Sequence, residues 1–341
     1  MIEFKDTSIS NIVFHRIDNE DGKSFLSESE YSINQEEEEV LKTIFLKPFT
    51  SSLSTFEFDH PVDLSLNSLF KLAKDNYADE DFYNSSLNIY KHLKSVSKHP
   101  NINGGDLFII KYDDVKINNS FHQALGIYKI ENKQNFIETS LIKNGKKNLN
   151  FKKGIGQGKI DKACLIIFTE EPYTIFIIDK GNVETEYWQN DFINARLKND
   201  HINSTSQFMS LTKTYVTEQF PNDYKTSKTD QIDLLNRSIE YFKTNDTFDK
   251  HTFESDVLQD DSVIESFRNF DKLYKEENNI ALSDNFEISS QAVKKQARIF
   301  KSVLKLDKNF HVYIHGDKNL IEQGVEKDGR KYYKIYFKEE S

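Results

Sequence analysis

Cysteine is almost absent: Cys164 is the single one in 341 residues. One thiol can form neither an intrachain disulfide nor a zinc cluster, and a reducing compartment suits such a chain. It stands in the apolar run Ala163-Cys164-Leu165-Ile166-Ile167-Phe168, where a buried, inert thiol is expected rather than a nucleophile. Five prolines and 12 glycines exclude collagen-like and proline-rich architectures. No apolar stretch reaches the roughly 18 residues needed to cross a bilayer, so no membrane partner is expected. The opening Met1-Ile2-Glu3-Phe4-Lys5-Asp6 has neither the positive nor the apolar region of a secretory signal. Positive charge is in deficit, with 45 Lys+Arg against 55 Asp+Glu, a net of −10. That field opposes wholesale coating of nucleic acid or anionic lipid, yet it leaves room for a local basic face.

Catalytic signatures are also missing. The run Gly154-Ile155-Gly156-Gln157-Gly158-Lys159 has Lys153 where a phosphate loop needs its first glycine, and Ile160 where it needs a hydroxyl. Lys159 likewise occupies the third glycine position of a dinucleotide fingerprint, so the run reads as a flexible loop. The nine histidines show no H-x-x-x-H or H-E-x-x-H spacing, so no metal is expected. His99, in a loop beside Gly104-Gly105, and the pair Asp113-Asp114 are the remaining candidates for chemistry. Neither has a partner that spacing identifies. The expectation is no catalytic residue and no cofactor.

What is present is a folded chain rich in aromatics, with 27 Phe and 16 Tyr. Its length fits one large domain or two ordinary ones, at roughly 150 residues each. Ile9–Ile17 carries apolar residues on both faces and reads as a buried strand. Glu36–Glu39, just after Ser32 and Asn34, read as a helix first turn, with Val40, Leu41, Ile44 and Phe45 as the buried face. Leu64–Tyr77 and Asp79–Val96 read as helices. Asp106–Tyr112, Gln123–Ile130, Ala163–Thr169 and Tyr173–Asp179 read as strands, the last two joined by Glu170-Glu171-Pro172. The segment 139–162 between them reads as a Lys- and Gly-rich loop, and a helix is expected from Tyr187 to Lys198. Helices over 205–220, 228–245, 253–275 and 289–305 follow. Strands over Phe310–His315, Asn319–Glu326 and Lys331–Phe337 end the chain, with Lys327-Asp328-Gly329 as a hairpin turn. The fold class is α+β: an antiparallel sheet flanked by helices, then a mostly helical region ending in a short antiparallel β-hairpin. The domains fall at 1–200 and 201–341.

Basic residues gather in three places. Residues 143–162 hold seven lysines, among them Lys143, Lys146, Lys147, Lys152, Lys153 and Lys159, and one acid, Asp161. A pliable basic loop can track a phosphate backbone, and the same composition suits a solvated connection between strands. On the expected helix 292–305, Lys294, Arg298, Lys301 and Lys305 recur at i, i+4, i+7 and i+11, opposite an apolar arc. Such a stripe can line phosphates or be an ordinary solvated face. The third cluster is Lys327, Arg330, Lys331, Lys334 and Lys338, interleaved with Tyr332, Tyr333, Tyr336 and Phe337. Aromatics with basics can stack bases, and alternating aromatics also serve strand packing. Acids concentrate elsewhere, nine of them in 18–39 and eight in 254–277, so the chain reads as bipolar.

Five segments in order resemble the bacterial 37-kDa nucleoid-associated protein family. They are Ser97–Ile102 leading through Gly104-Gly105-Asp106-Leu107, Ala124–Glu131, Lys159–Ile166, Tyr187-Trp188-Gln189-Asn190-Asp191-Phe192, and Tyr332–Phe337. Together they span residues from about 80 to the end. The resemblance implies a cytoplasmic protein of the bacterial nucleoid, with no catalysis and no cofactor, and it carries over no DNA-contacting residue. The leading expectation is a non-enzymatic protein that binds double-stranded DNA with little sequence specificity through its local basic surfaces. The alternatives are an acidic adaptor docking a DNA-bound nucleoid protein, and a nucleic-acid hydrolase built on His99 and Asp113-Asp114. A homodimer is expected because twofold dimers are the commonest oligomers.

Overall fold

The computed structural model describes residues 2–20, 22–51, 54–78, 81–141, 147–158, 160–180, 187–278, 280–297, 300, 303–314 and 320–339. Its contacts divide the chain into two units, Met1–Lys198 and Asn199–Ser341.

In the first unit the strands are β1 (Ser8–Ile17), β2 (Phe56–Phe58), β3 (Gly105–Ile117), β4 (Ser120–Ile130), β5 (Gln134–Leu141), β6 (Lys147–Gly154), β7 (Lys162–Ile167), β8 (Thr174–Asp179) and β9 (Ala195–Leu197). Its helices are α1 (Gln35–Phe45), α2 (Ser68–Ala78) and α3 (Phe82–Val96). Seven strands form one antiparallel sheet in the order β1-β3-β4-β7-β8-β2-β9.

Successive side chains on a strand point to opposite faces, and both faces of this sheet are apolar. Leu107, Ile109, Leu125, Ile127, Cys164 and Ile166 pack under Leu69, Phe70 and Ala73 of α2 and Ile89 and Leu93 of α3. The alternate set, Ile110, Tyr112, Tyr128, Leu165, Ile167 and Phe176, packs against Ile44 and Phe45 of α1 and the following Leu46 and Phe49. Three layers result, which explains why β1 and β7 read apolar on both sides. Asn34 caps α1: its side chain accepts from the Glu37 N–H at 3.0 Å, and the Glu37 carboxylate accepts from the Asn34 N–H at 3.0 Å.

The second unit contains α4 (His201–Thr214), α5 (Phe220–Asp223), α6 (Lys228–Thr244), α7 (Lys250–Phe253), α8 (Asp261–Glu277) and α9 (Ser290–Gln296). Its strands are β10 (Thr247–Asp249), β11 (Asn285–Glu287), β12 (Val303–Leu306), β13 (Phe310–Tyr313), β14 (Ile321–Val325) and β15 (Lys331–Ile335). They pair as three short antiparallel ribbons, β10–β11, β12–β13 and β14–β15. The core centres on Phe208, whose ring lies 4.1 Å from that of Phe248, 5.3 Å from Phe253, and 6.0 Å from both Phe242 and Phe267.

Four sequence expectations are corrected. The segment expected as a loop over 139–162 contains the β5–β6 ribbon. The helix expected from Tyr187 is a π-helical turn, Trp188–Ile193, ended by Asn194 at φ 54°; the chain then enters β9 against β2. Edge pairing to a distant strand outweighs local propensity there. The helix expected over 253–275 breaks at Gln259, φ 67°, and restarts where Asp260 accepts from the N–H groups of Ser262 and Val263. The helix expected over 289–305 ends at Gln296. Val303 and Leu304 instead pair with Tyr313 and Val312, across a turn that holds Asp307 at φ 50°.

His15 on β1 is buried beneath α3. Its Nδ1 accepts the Ser27 N–H at 3.2 Å, so Nε2 carries the hydrogen and donates to Ser86 Oγ at 3.1 Å. Burial lowers its pKa to about 4. A proton on Nδ1 would face the Ser27 N–H. The unfolded chain therefore takes up a proton that the folded one refuses. The His15 contribution is complete above about pH 6.5 and is lost as pH falls toward about 4. Urea unfolding of wild type and His15→Gln should show wild-type stability dropping by about 2–3 kcal/mol more across this window. Parallel curves for the two would show that His15 does not titrate this way.

Candidate nucleic-acid interface

β4 leaves the sheet at Ile130 and the chain returns as β7 at Lys162. Between them β5 and β6 pair along their whole length, from Gln134 opposite Gly154 to Leu141 opposite Lys147. Among the described residues this ribbon packs extensively on no other element. Its root is fixed by Asp161, the one acid of the lysine-rich run. The Asp161 carboxylate accepts from the N–H groups of Glu131 at 2.8 Å and Asn132 at 3.0 Å, and from the Asn132 amide at 3.0 Å.

Directly opposed residues on paired strands share a face. One face carries Phe136 beside Lys152 and Glu138 beside Asn150. There Lys152 reaches Glu138 at 2.7 Å, and the Phe136 ring lies on Gly154, where a Cβ would stand 2.7 Å from it. The other face carries Asn135 with Lys153, Ile137 with Phe151, and Thr139 with Leu149. Residues 134–154 hold five lysines and one glutamate in a chain of net −10.

The structure places the candidate residues unevenly. Lys152 and Lys153 are exposed on β6. Lys147 begins that strand, with its side chain outside the described residues, as are Lys143, Lys146, Lys159, Arg298 and Lys301. Lys294 is exposed in the last turn of α9 and Lys305 is exposed on β12 opposite His311, so they do not share one helical stripe. In the C-terminal hairpin Lys334 pairs with Glu322 at 3.6 Å and lies over the Tyr336 ring at 4.7 Å, and Arg330 pairs with Asp328 at 2.7 Å. Tyr332 covers Gly324, where a Cβ would run into its ring, so that aromatic is committed to the hairpin itself.

His99 turns back on its own loop, accepting the Asn101 N–H at 3.2 Å. Asp113 accepts from Gln123 at 2.7 Å near the far end of β3, the strand that the His99 loop enters. The two stand at opposite ends of one strand and form no joint site. Among the described residues, no three His, Cys, Asp or Glu side chains cluster as a metal set. No described helix is long and apolar enough to cross a membrane.

Beside the ribbon root lies a buried polar cluster. Lys129, 1% exposed, donates to the Asn103 carbonyl at 2.6 Å, the Tyr187 hydroxyl at 2.9 Å and Glu131 at 2.9 Å, which uses all three ammonium hydrogens. Lys162, its cross-strand neighbour, pairs with Asp179. Both ammonium groups lie near the Tyr187 ring, at 5.4 and 5.1 Å from its centre. Burial pulls the Lys129 pKa down, and burial with the carboxylates of Glu131 and Asp179 pushes Tyr187 up. The Trp188 indole donates to the Ala163 carbonyl at 3.2 Å. With these partners in place, the cluster is a structural pin.

Four of the five resemblance segments meet here: Asn103 precedes β3, which Gly105 opens; Lys129 lies at the end of β4 with Glu131 just beyond; Asp161 precedes β7, which Lys162 opens; and Tyr187-Trp188 close over them. A family model described as nucleoid-associated protein YejK matches residues 13–330 of the 341. The chain belongs to this family. Membership places it in the bacterial nucleoid, in the cytoplasm. None of the curated proteins matches the chain. The match begins at Val13, midway along β1, and so includes the second half of the N-terminal strand that the resemblance segments left out. For this nucleoid-associated chain, sequence reasoning missed Lys129 and Tyr187 as a buried pair. It also missed Asp161 as the ribbon's anchor; the signal available was a lone acid within a run of lysines.

Lys129→Met leaves Glu131, the Tyr187 hydroxyl and the Asn103 carbonyl without their common donor. Urea unfolding should show a loss of about 3–5 kcal/mol, with Lys129→Met/Glu131→Leu recovering part of it. A single-variant loss under about 1 kcal/mol would mean that the cluster does not pin the fold.

Proposed function

We propose that the protein binds duplex DNA directly, with little sequence preference, and that the β5–β6 ribbon is its principal contact. The observation that carries this reading is the form of the basic segment: a projecting two-stranded ribbon, fixed at its root, bearing a net positive charge on an acidic chain. A ribbon of two strands fits a DNA groove, and lysines along it can neutralise phosphates without reading bases. Lys143, Lys146, Lys147, Lys152 and Lys153 are the proposed phosphate ligands, and Lys159 is a further candidate. Lys294 and Lys305, exposed on the other unit, are secondary candidates. The acids of 18–39 and 254–277 keep the remaining surface from coating DNA indiscriminately.

Each phosphate neutralised contributes about −0.9 to the slope of log affinity against log salt. Lys147→Glu/Lys152→Glu/Lys153→Glu should lower duplex affinity at low salt by at least about tenfold and flatten that slope by about 2–3. Fluorescence anisotropy with the untagged protein measures both. Unchanged affinity would remove the ribbon as the contact. A wild-type protein that gives no shift, yet is retained by a nucleoid protein after nuclease treatment, would establish the adaptor reading instead.

A further inference from the structure

The two faces of the β5–β6 ribbon differ in what covers them. One is partly taken up by its own contacts, Phe136 on Gly154 and Lys152 on Glu138, with Phe136 still 47% exposed. On the other, Phe151 is 77% exposed, Ile137 58% and Leu149 57%. Scattered surface apolar residues need no explanation, but three adjacent ones on one face of a projecting ribbon form a contiguous patch, which marks a binding face. Along β6 this face carries Leu149, Phe151 and Lys153, and position 147 is next in the register, so positions 147 and 153 stand about 20 Å apart with the apolar pair between them.

Charge selects the occupant. Five lysines against one glutamate in residues 134–154 favour a polyanion, and the strand positions of Lys147 and Lys153 flank the apolar row. Duplex DNA offers that order: phosphates on either side of a groove, and apolar base faces between them once a step opens. We propose that Ile137, Leu149 and Phe151 wedge against an opened base step while Lys147 and Lys153 hold the flanking phosphates, so that binding bends the duplex. This rests on the direct-binding reading above and adds a mechanical consequence to it. Phe151, the most exposed of the three, is the leading wedge. Stiff sequences should resist the bend, and a duplex already easy to kink should be preferred.

The test uses the full chain and short duplexes labelled at both ends. Anisotropy reads binding, energy transfer reads bending, and light scattering reads mass. Wild type should draw the ends together and prefer a duplex with a central mismatch by about tenfold. Ile137→Ser/Leu149→Ser/Phe151→Ser should bind the intact duplex within about threefold of wild type, with the same salt slope, but lose both the bending and the preference. Phe151→Leu should keep part of both. If the triple variant does not fold, Phe151→Ala alone decides, since that side chain is mostly solvent-exposed. Binding without bending, or bending unchanged in the serine variant, overturns the wedge and leaves the lysine contacts standing. Absence of any duplex binding by wild type overturns the direct-binding reading and the wedge together. A dimer that becomes a monomer in the serine variant while bending persists would assign the face to a second copy and overturn the proposal.

Discussion

Every residue of β7 is buried, and the sheet around it is covered on both faces. That two-sided burial constrains the rest of the first unit. With α2 and α3 on one face and α1 on the other, polar side chains on the central strands must find partners or leave the layer. Lys129 and Lys162 find partners, because Glu131, Asp179 and Tyr187 come to them. A buried ammonium without such partners would be strongly destabilising, so the segments that supply them are tied to one another. The lysines between β4 and β7 have no place in the layers, and the chain that carries them leaves as a separate ribbon.

The same geometry separates charge by sign and by role. Lys129 and Lys162 of the sheet are internal and paired, and Lys152 and Lys153 of the ribbon face solvent. Acids that might cancel the ribbon's charge are engaged elsewhere: Asp161 holds backbone N–H groups at the root, and Asp106 pairs with Arg16 at 3.0 Å and Lys133 at 2.6 Å. A net of −10 and a local basic arm therefore coexist on one nucleoid-associated chain without contradiction.

Much of the fold was legible because it follows from periodicity and local chemistry. Five of the seven strands of the main sheet announced themselves by their apolar runs, α1 by its acidic first turn, and the last hairpin by Lys327-Asp328-Gly329. The errors share one cause. Ala195–Leu197 and Val303–Leu306 became strands because distant partners were available to pair with them, and a local pattern records no distant partner. In 134–154, frequent lysine and asparagine obscured an alternation that is evident only once Ile137 is set opposite Phe151. Of the candidate site, the residue types were legible but not the element that presents them. The helical stripe through Lys294 and Lys305 failed because helical spacing stops at Gln296.

By itself, then, the sequence determined the class of fold, the inert burial of Cys164, the concentration of lysine in 143–162 and the family resemblance, since each depends on neighbours in the chain. Tertiary structure alone decided that four of the resemblance segments meet around Tyr187, that a lone aspartate anchors an arm, and that one face of that arm is left apolar and open. Those outcomes depend on which strand lies beside which, a property of the pairing between segments rather than of any segment alone.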